Sequence, residues 1–239
     1  MSGYFQRGRV LLIALVAIVG AISIGAQSRT DWYGAQPRLI WQSPQQARAA
    51  VAQLPAAQST TASIAQKREL RGVPNFGEVS ATLYRGAQPS GPGVEELKRL
   101  GIEIVVNLRD EPGNIANERR QVESLGMSYV SIPWKASDMP DHRQVAQLLA
   151  LLRANPNKKI FVHCHYGADR TGTMLAAHRI AQHGWMPEQA YAEMRAFNFH
   201  RFWHGHLKRY VFAFPETFST DAAFASLRPA APQPTRTFP

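Results

Sequence analysis

Phe161-Val162-His163-Cys164-His165-Tyr166-Gly167-Ala168-Asp169-Arg170-Thr171-Gly172 has the make-up of a strand, a tight loop and the start of a helix. The β-branched and aromatic run Ile160-Phe161-Val162 leads in, small residues form the loop, and an apolar, Ala-rich run from Thr173 to Ile180 leads out. Such a loop aims several backbone N–H groups, together with the positive end of the following helix, at one point, which makes an anion site. Cys164, the only cysteine of the chain, falls at its floor.

Each residue of the loop has a task if the anion is a phosphate ester. A thiol is mostly protonated at neutral pH, and a helix N-terminus with cationic neighbours converts it to the nucleophilic thiolate. Arg170 carries the planar fork that holds two non-bridging oxygens bidentately, a geometry Lys lacks. Thr171 offers a hydroxyl to the sulfur, and His163 is placed to fix the loop from behind. Gly167 and Gly172 suit backbone that turns tightly or packs closely.

His163-Cys164, five residues, then Arg170-Thr171-Gly172 resembles the H-C-x5-R-[ST]-G signature loop of the cysteine-dependent protein tyrosine and dual-specificity phosphatases. The form Cys-x-x-Gly-x-x-Arg-Thr-Gly is similar to their compact branch, which includes bacterial members and relatives that act on inositol phosphates. Tyr84-Arg85-Gly86-Ala87-Gln88-Pro89 also resembles the Tyr-Arg-[Ser/Gly]-x-Gln-Pro start of compact bacterial and plant members.

The resemblance covers about residues 70–214 and implies an α/β domain of three layers, α/β/α, around a mostly parallel central sheet. It implies a two-step reaction without metal or cofactor: Cys164 attacks phosphorus, Arg170 and the loop residues His165, Tyr166, Gly167, Ala168 and Asp169 hold the phosphate, and water then hydrolyses the phosphocysteine. The implied substrate is a phosphorylated protein or another phosphomonoester. An inositol polyphosphate or phospholipid at the same site is the alternative. A non-catalytic phospho-binding module and a rhodanese-like sulfur transferase are weaker ones.

Relatives supply the general acid as an Asp some 25 to 35 residues before the Cys, which points to Lys135-Ala136-Ser137-Asp138-Met139-Pro140-Asp141. Asp141 opens Asp141-His142-Arg143-Gln144, a capping-box pattern that ties its carboxylate to a helix start. Asp138 has no such structural employment and is the first candidate, with Asp141 and Asp169 as alternatives. Asp169 alternatively orients Arg170 or faces solvent. Asp110 and Glu111, at the end of a strand, read as an ion pair or a helix cap.

The 239 residues carry 27 Lys/Arg against 17 Asp/Glu, a net charge of +10; residues 67–214 hold a surplus of 6 and residues 1–66 a surplus of 4. A basic catalytic region favours anionic substrates. The chain shows no nucleic-acid motif and no long basic stretch interleaved with aromatics. A single cysteine excludes an internal disulfide.

Residues 1–9 form a basic flank with Arg7 and Arg9, followed by an uncharged apolar run, residues 10–26, from Val10 to Ala26. Its length lies at the lower limit for a spanning helix and above the usual signal-peptide core. The positive flank predicts a single-pass inner or plasma membrane anchor with the catalytic domain exported, periplasmic in a bacterium. Signal cleavage near Ala21-Ile22-Ser23, giving a secreted or periplasmic enzyme, is the alternative. Residues 27–66 read as an Ala/Gln/Pro linker, 67–214 as the phosphatase domain, and 215–239 as a disordered Pro/Ala-rich tail.

Within the domain, helices are expected at about 94–100, 114–125, 142–154, 187–197 and 207–214, and strands at 102–109 and 127–134, an alternation that implies helices on both faces of the sheet. His200 and His204 stand at i, i+4 with His206 beyond them, but no Asp, Glu or Cys lies among them. Asn198 to His206 therefore reads as a packed aromatic helix start rather than a metal site.

Overall fold

The computed structural model describes residues 63–229 other than 136. The β-branched runs form the strands and the amphipathic runs between them the helices: β1 (Gln66–Lys67), β2 (Gly77–Glu78), β3 (Leu83–Gly86), α1 (Gly91–Arg99), β4 (Ile104–Asn107), α2 (Pro112–Ser124), β5 (Ser128–Ser131), α3 (His142–Ala154), β6 (Ile160–His163), α4 (Asp169–His183), α5 (Pro187–Ala196), α6 (Gly205–Thr220) and a 3-10 turn (Ala222–Leu227). One sheet holds the strands in the order β1-β2-β3-β6-β4-β5.

Strands β3, β6, β4 and β5 run parallel, whereas β1, β2 and β3 pair antiparallel. The sheet is therefore mixed where a mostly parallel one was expected. The reason is connection length: no helix lies between β1 and β3, and a parallel crossover needs a dozen or more residues.

Alternation along the strands sends side chains to two cores. Ile104, Val106, Ile160 and Val162 face a core shared with α3, α4, α5 and α6. Val105 and Phe161 face the opposite core with α1 and α2. Helix α4 is buried along most of its length, from Asp169 to Ile180, because it lies between the sheet and α5 and α6.

Both ends of the domain depart from the sequence reading. At the N-terminal side the fold begins before residue 67: Ala65 is buried and its N–H donates to Glu193 Oε2 at 2.9 Å. At the other side the expected tail from 215 is folded as far as Leu227. Helix α6 continues through Pro215 to Thr220. Phe214, Phe218 and Phe224 pack ring to ring, and Phe214 and Phe224 are fully buried. Each buried Phe contributes about 1.5–3 kcal/mol, enough to offset the roughly 3 kcal/mol cost of an internal proline.

The expected membrane placement is corrected. Among the described residues no helix is long and apolar enough to cross a membrane. The segment Val10 to Ala26, on which the anchor and signal readings rested, lies outside the described residues.

Candidate active site

Strand β6 is central, with β3 on one side and β4 on the other, and the Cys164 loop leaves its C-terminal end. Cys164 is only 3% exposed. Three successive carbonyls of the loop are tied outward by three different elements. His165 O accepts from Gln88 N at 3.2 Å, Tyr166 O from Asn75 Nδ2 at 3.2 Å, and Gly167 O from Arg85 Nη2 at 3.0 Å. In a trans peptide the N–H points opposite the C=O. The amides of Tyr166, Gly167 and Ala168 therefore face the concave side, and none has a hydrogen-bond partner among the described residues. With the positive end of α4 they make a cradle for an anion.

Gly167 is obligatory for this shape. Its φ is +66°, and a Cβ there would lie 2.3 Å from the carbonyl carbon of Gly86. Gly167→Ala is expected to push the loop off β3 and lower turnover by about 100-fold, since a shift near 1 Å at a reacting centre costs that much. Kinetics of the purified variant, beside a circular-dichroism check of folding, test this; activity within threefold of wild type would contradict it.

Behind the loop, His163 is fully buried. Its Nδ1 lies 3.3 Å from Cys164 O and its Nε2 2.9 Å from Glu118 Oε1, while the Tyr129 hydroxyl donates to Glu118 Oε2 at 3.0 Å. The ring of His163 thus lies between the carbonyl of Cys164 and the carboxylate of Glu118. The hydrogen bond expected from Thr171 to the sulfur is not formed: Thr171 Oγ1 is buried without a partner among the described residues. Such an unmet donor carries a desolvation cost of about 1–3 kcal/mol and is open to an incoming acceptor.

Arg170 is held by one edge of its fork. Nη1 donates to Asp110 Oδ1 at 2.8 Å, Trp134 O at 3.0 Å and Leu108 O at 3.4 Å, and Nη2 lies 3.9 Å from Glu111 Oε1. Asp110 thus forms the ion pair read from the sequence, and Glu111 pairs with Arg109 at 3.0 Å. Glu111 occupies the N-cap position of α2 but makes no side-chain cap bond.

The three candidate acids have different surroundings. Asp141 caps α3 in a complete capping box, its Oδ1 accepting from Arg143 N at 2.7 Å while Asp141 N donates to Gln144 Oε1 at 2.8 Å. Asp169 neither orients Arg170 nor faces solvent. It is buried, and its two oxygens take the backbone N–H and lie by Nδ1 of His200, each at 2.8 Å. Asp138 is exposed, with one bond to its carboxylate, from Ser137 Oγ at 3.0 Å.

The segment around His200 also differs from expectation. Phe199 packs as predicted, but Phe202 and Trp203 stand in solvent and α6 begins only at Gly205. The aromatic run does not pack as a unit: His200 is bound to Asp169, and the two aromatics that follow Arg201 are exposed.

Two buried arginines were given no role by the sequence reading, although Arg85 lies in the stretch Tyr84 to Pro89 that carries part of the resemblance. Arg85 is wholly buried, with Phe197 stacked 3.9 Å from its guanidinium carbon and Glu193 3.9 Å from Nη1. Burial lowers its pKa to about 10, against the opposing attraction of Glu193 and Cys164. Arg179 Nη2 donates to Glu193 Oε2 at 2.8 Å, with both side chains buried. The available signal for Arg85 was a lone charge within the short strand Leu83-Tyr84-Arg85-Gly86.

This geometry has known counterparts. The family model described as "DSP-PTPase phosphatase fused to NAD+ Kinase" matches residues 55–206. The curated dual specificity protein phosphatase TpbA of Pseudomonas aeruginosa (strain UCBPP-PA14) is 31% identical over 122 residues, 51% of this chain and 53% of that protein, so the chain spans about half the length of this relative. The crystal structure of P. aeruginosa TpbA superposes with a TM-score of 0.54 at 26% identity, covering 65% of this chain and 96% of that one. A second TpbA structure, in complex with pTyr, gives the same TM-score of 0.54 at 25% identity, covering 65% of this chain and 96% of that one. On the strength of the family model, which matches well over half of its length, this chain belongs to the dual-specificity and protein tyrosine phosphatase superfamily.

Proposed function

We propose that this chain hydrolyses phosphomonoesters through a phosphocysteine on Cys164, with phosphotyrosine in a polypeptide as the preferred ester. The observation that carries the reading is the convergence of three free loop amides, the α4 N-terminus and Arg170 on the loop that begins at Cys164. The relative bound to pTyr supports the choice of ester. Apart from Arg170 the loop carries no Lys or Arg, fewer cations than a polyphosphate lying within it would call for.

In the first step the Cys164 thiolate attacks phosphorus: an S–P bond forms, the P–O bond to the leaving group breaks, and Asp138 gives its proton to the departing oxygen. In the second step water attacks phosphorus, the S–P bond breaks, and Asp138 takes the proton back, leaving orthophosphate and the thiolate. Arg170 Nε and Nη2 hold two equatorial oxygens while Asp110 and the Trp134 carbonyl fix Nη1. The loop amides meet the remaining charge, and such preorganised donors act most strongly where water is excluded.

Phosphate release by the full chain from phosphotyrosine peptide, phosphoserine peptide and inositol hexakisphosphate tests the reading, with mass spectrometry of quenched enzyme to detect phosphate on Cys164. Faster release from the inositol ester would replace the substrate assignment, and release without a Cys164 adduct would remove the mechanism.

The role of Asp138 has its own signature. Asp138→Asn is expected to lower kcat for phosphotyrosine by about 100-fold or more, within the range of general acid catalysis, and to affect p-nitrophenyl phosphate much less because its leaving group needs little protonation. Asp141→Asn keeps a good N-cap and should leave both rates unchanged. Equal losses on the two esters with Asp138→Asn would take the acid role from Asp138.

A further inference from the structure

The segment from His200 to Trp203 is clamped to the phosphate loop and yet exposes its largest side chains. Asp169, the first residue of α4, receives both the backbone N–H of His200 and its ring nitrogen at 2.8 Å. The His200 ring also meets the ring of Tyr166, a rim residue of the loop, with centroids 6.1 Å apart. Phe202 and Trp203 follow within about 11 Å of chain. They are 83% and 82% exposed, well above Tyr166 at 64%, the next most exposed of the large apolar residues described. Two adjacent aromatics left in water beside a reaction site cost solvation that only a partner recovers.

The charge around them selects the partner. Arg195 and Arg201 stand around one cavity with them, and from residue 194 to 215 the chain has no Asp or Glu. The Arg201 guanidinium lies 4.6 Å from the Phe202 ring centre, and Arg195, Phe199, His200, Arg201, Phe202 and Trp203 line a cavity of about 390 Å³. Aromatic anchors interleaved with Arg are the composition of protein-binding hot spots, and a surface of one sign repels partners of the same sign.

We infer that Phe202 and Trp203, held beside the phosphate loop by the Asp169–His200 clamp, form a docking surface for the acidic polypeptide that flanks the phosphorylated residue. The inference rests on the phosphatase reading above and extends it: the substrate is a protein segment recognised beyond its phosphate, not a small ester. Phe202 and Trp203 act on affinity for the flank, and the chemical step stays with the cradle.

Steady-state kinetics of the full chain test this with three esters: a twelve-residue phosphotyrosyl peptide rich in Glu, the same peptide with Gln in place of Glu, and p-nitrophenyl phosphate. The Phe202→Ala/Trp203→Ala double variant is expected to raise KM for the acidic peptide about tenfold with kcat little changed, and to keep p-nitrophenyl phosphate hydrolysis within twofold. Arg201→Gln should erase the preference for Glu over Gln. Equal losses on all three esters, or no loss on the peptides, would overturn the docking surface. So would aromatic-dependent binding to vesicles of anionic phospholipid with unchanged peptide kinetics. Absence of Cys164-dependent release from every ester would overturn the phosphatase reading itself, and turnover that ignores the aromatic pair would overturn the docking surface alone.

Discussion

Cys164→Ser is expected to lower kcat/KM for phosphotyrosine by about 10⁴-fold or more while leaving the fold intact. The hydroxyl of Ser is a far weaker nucleophile than a thiolate near neutral pH, and the step it replaces forms the covalent intermediate on which the second step depends. Structurally the change is small. Cys164 is buried among residues of the larger core, but the loop around it is held by its carbonyls, through Gln88, Asn75 and Arg85, and not by the sulfur. The variant should therefore still bind phosphotyrosine peptide, which calorimetry measures, and melt close to the wild-type temperature. Retained turnover would remove Cys164 from the chemistry, whereas an unfolded variant would mean that the sulfur holds the loop.

Glu193→Ala should cost about 3–5 kcal/mol of stability, the range for removing one partner of a buried ion pair. Glu193 sits between two buried guanidiniums: its Oε2 takes Arg179 Nη2 at 2.8 Å and Ala65 N at 2.9 Å, and its Oε1 lies 3.9 Å from Arg85 Nη1. Without it, two cations remain in the core without their carboxylate, and Arg85, whose pKa burial already lowers, loses the largest attraction that supports its charged form. Since domains are stable by only about 5–15 kcal/mol, the loss is a large share of the total. Urea denaturation reads it directly, and a change below about 1 kcal/mol would show that the two arginines are neutralised by other means. Catalysis should fall as well, because Arg85 ties Gly167 O in the cradle.

What was legible locally came out as read. The strand-loop-helix around Cys164 depends on neighbours in sequence, so the β-branched lead-in, the small-residue loop and the Ala-rich helix could be placed without a partner in view. Asp141 illustrates the same point, since a capping box is complete within four residues and needs no tertiary contact. The errors arose where distant chain overrides local preference. Residues from 215 onward read as a disordered tail, but Phe224 and its aromatic neighbours pack against α6, which runs on to Thr220. The run 198–206 read as a packed helix start because no further metal ligands accompany its histidines, yet Phe202 and Trp203 are exposed and His200 is bound to a carboxylate some thirty residues earlier.

The sequence by itself therefore determined the strand, the tight turn and the helix start at the centre, and it pointed to Cys164 and Arg170 as the residues proposed to attack and to hold the phosphate. Tertiary structure alone decided what holds that turn in place. Arg85, Asn75, Gln88, Asp110 and Glu118 are each tens of residues from the loop, and their contacts with it or with His163 behind it exist only because a sheet of order β1-β2-β3-β6-β4-β5 brings β3 and β4 to either side of β6. Motifs record contacts between sequence neighbours, whereas the braces of a cradle are long-range contacts whose partners become neighbours only on folding.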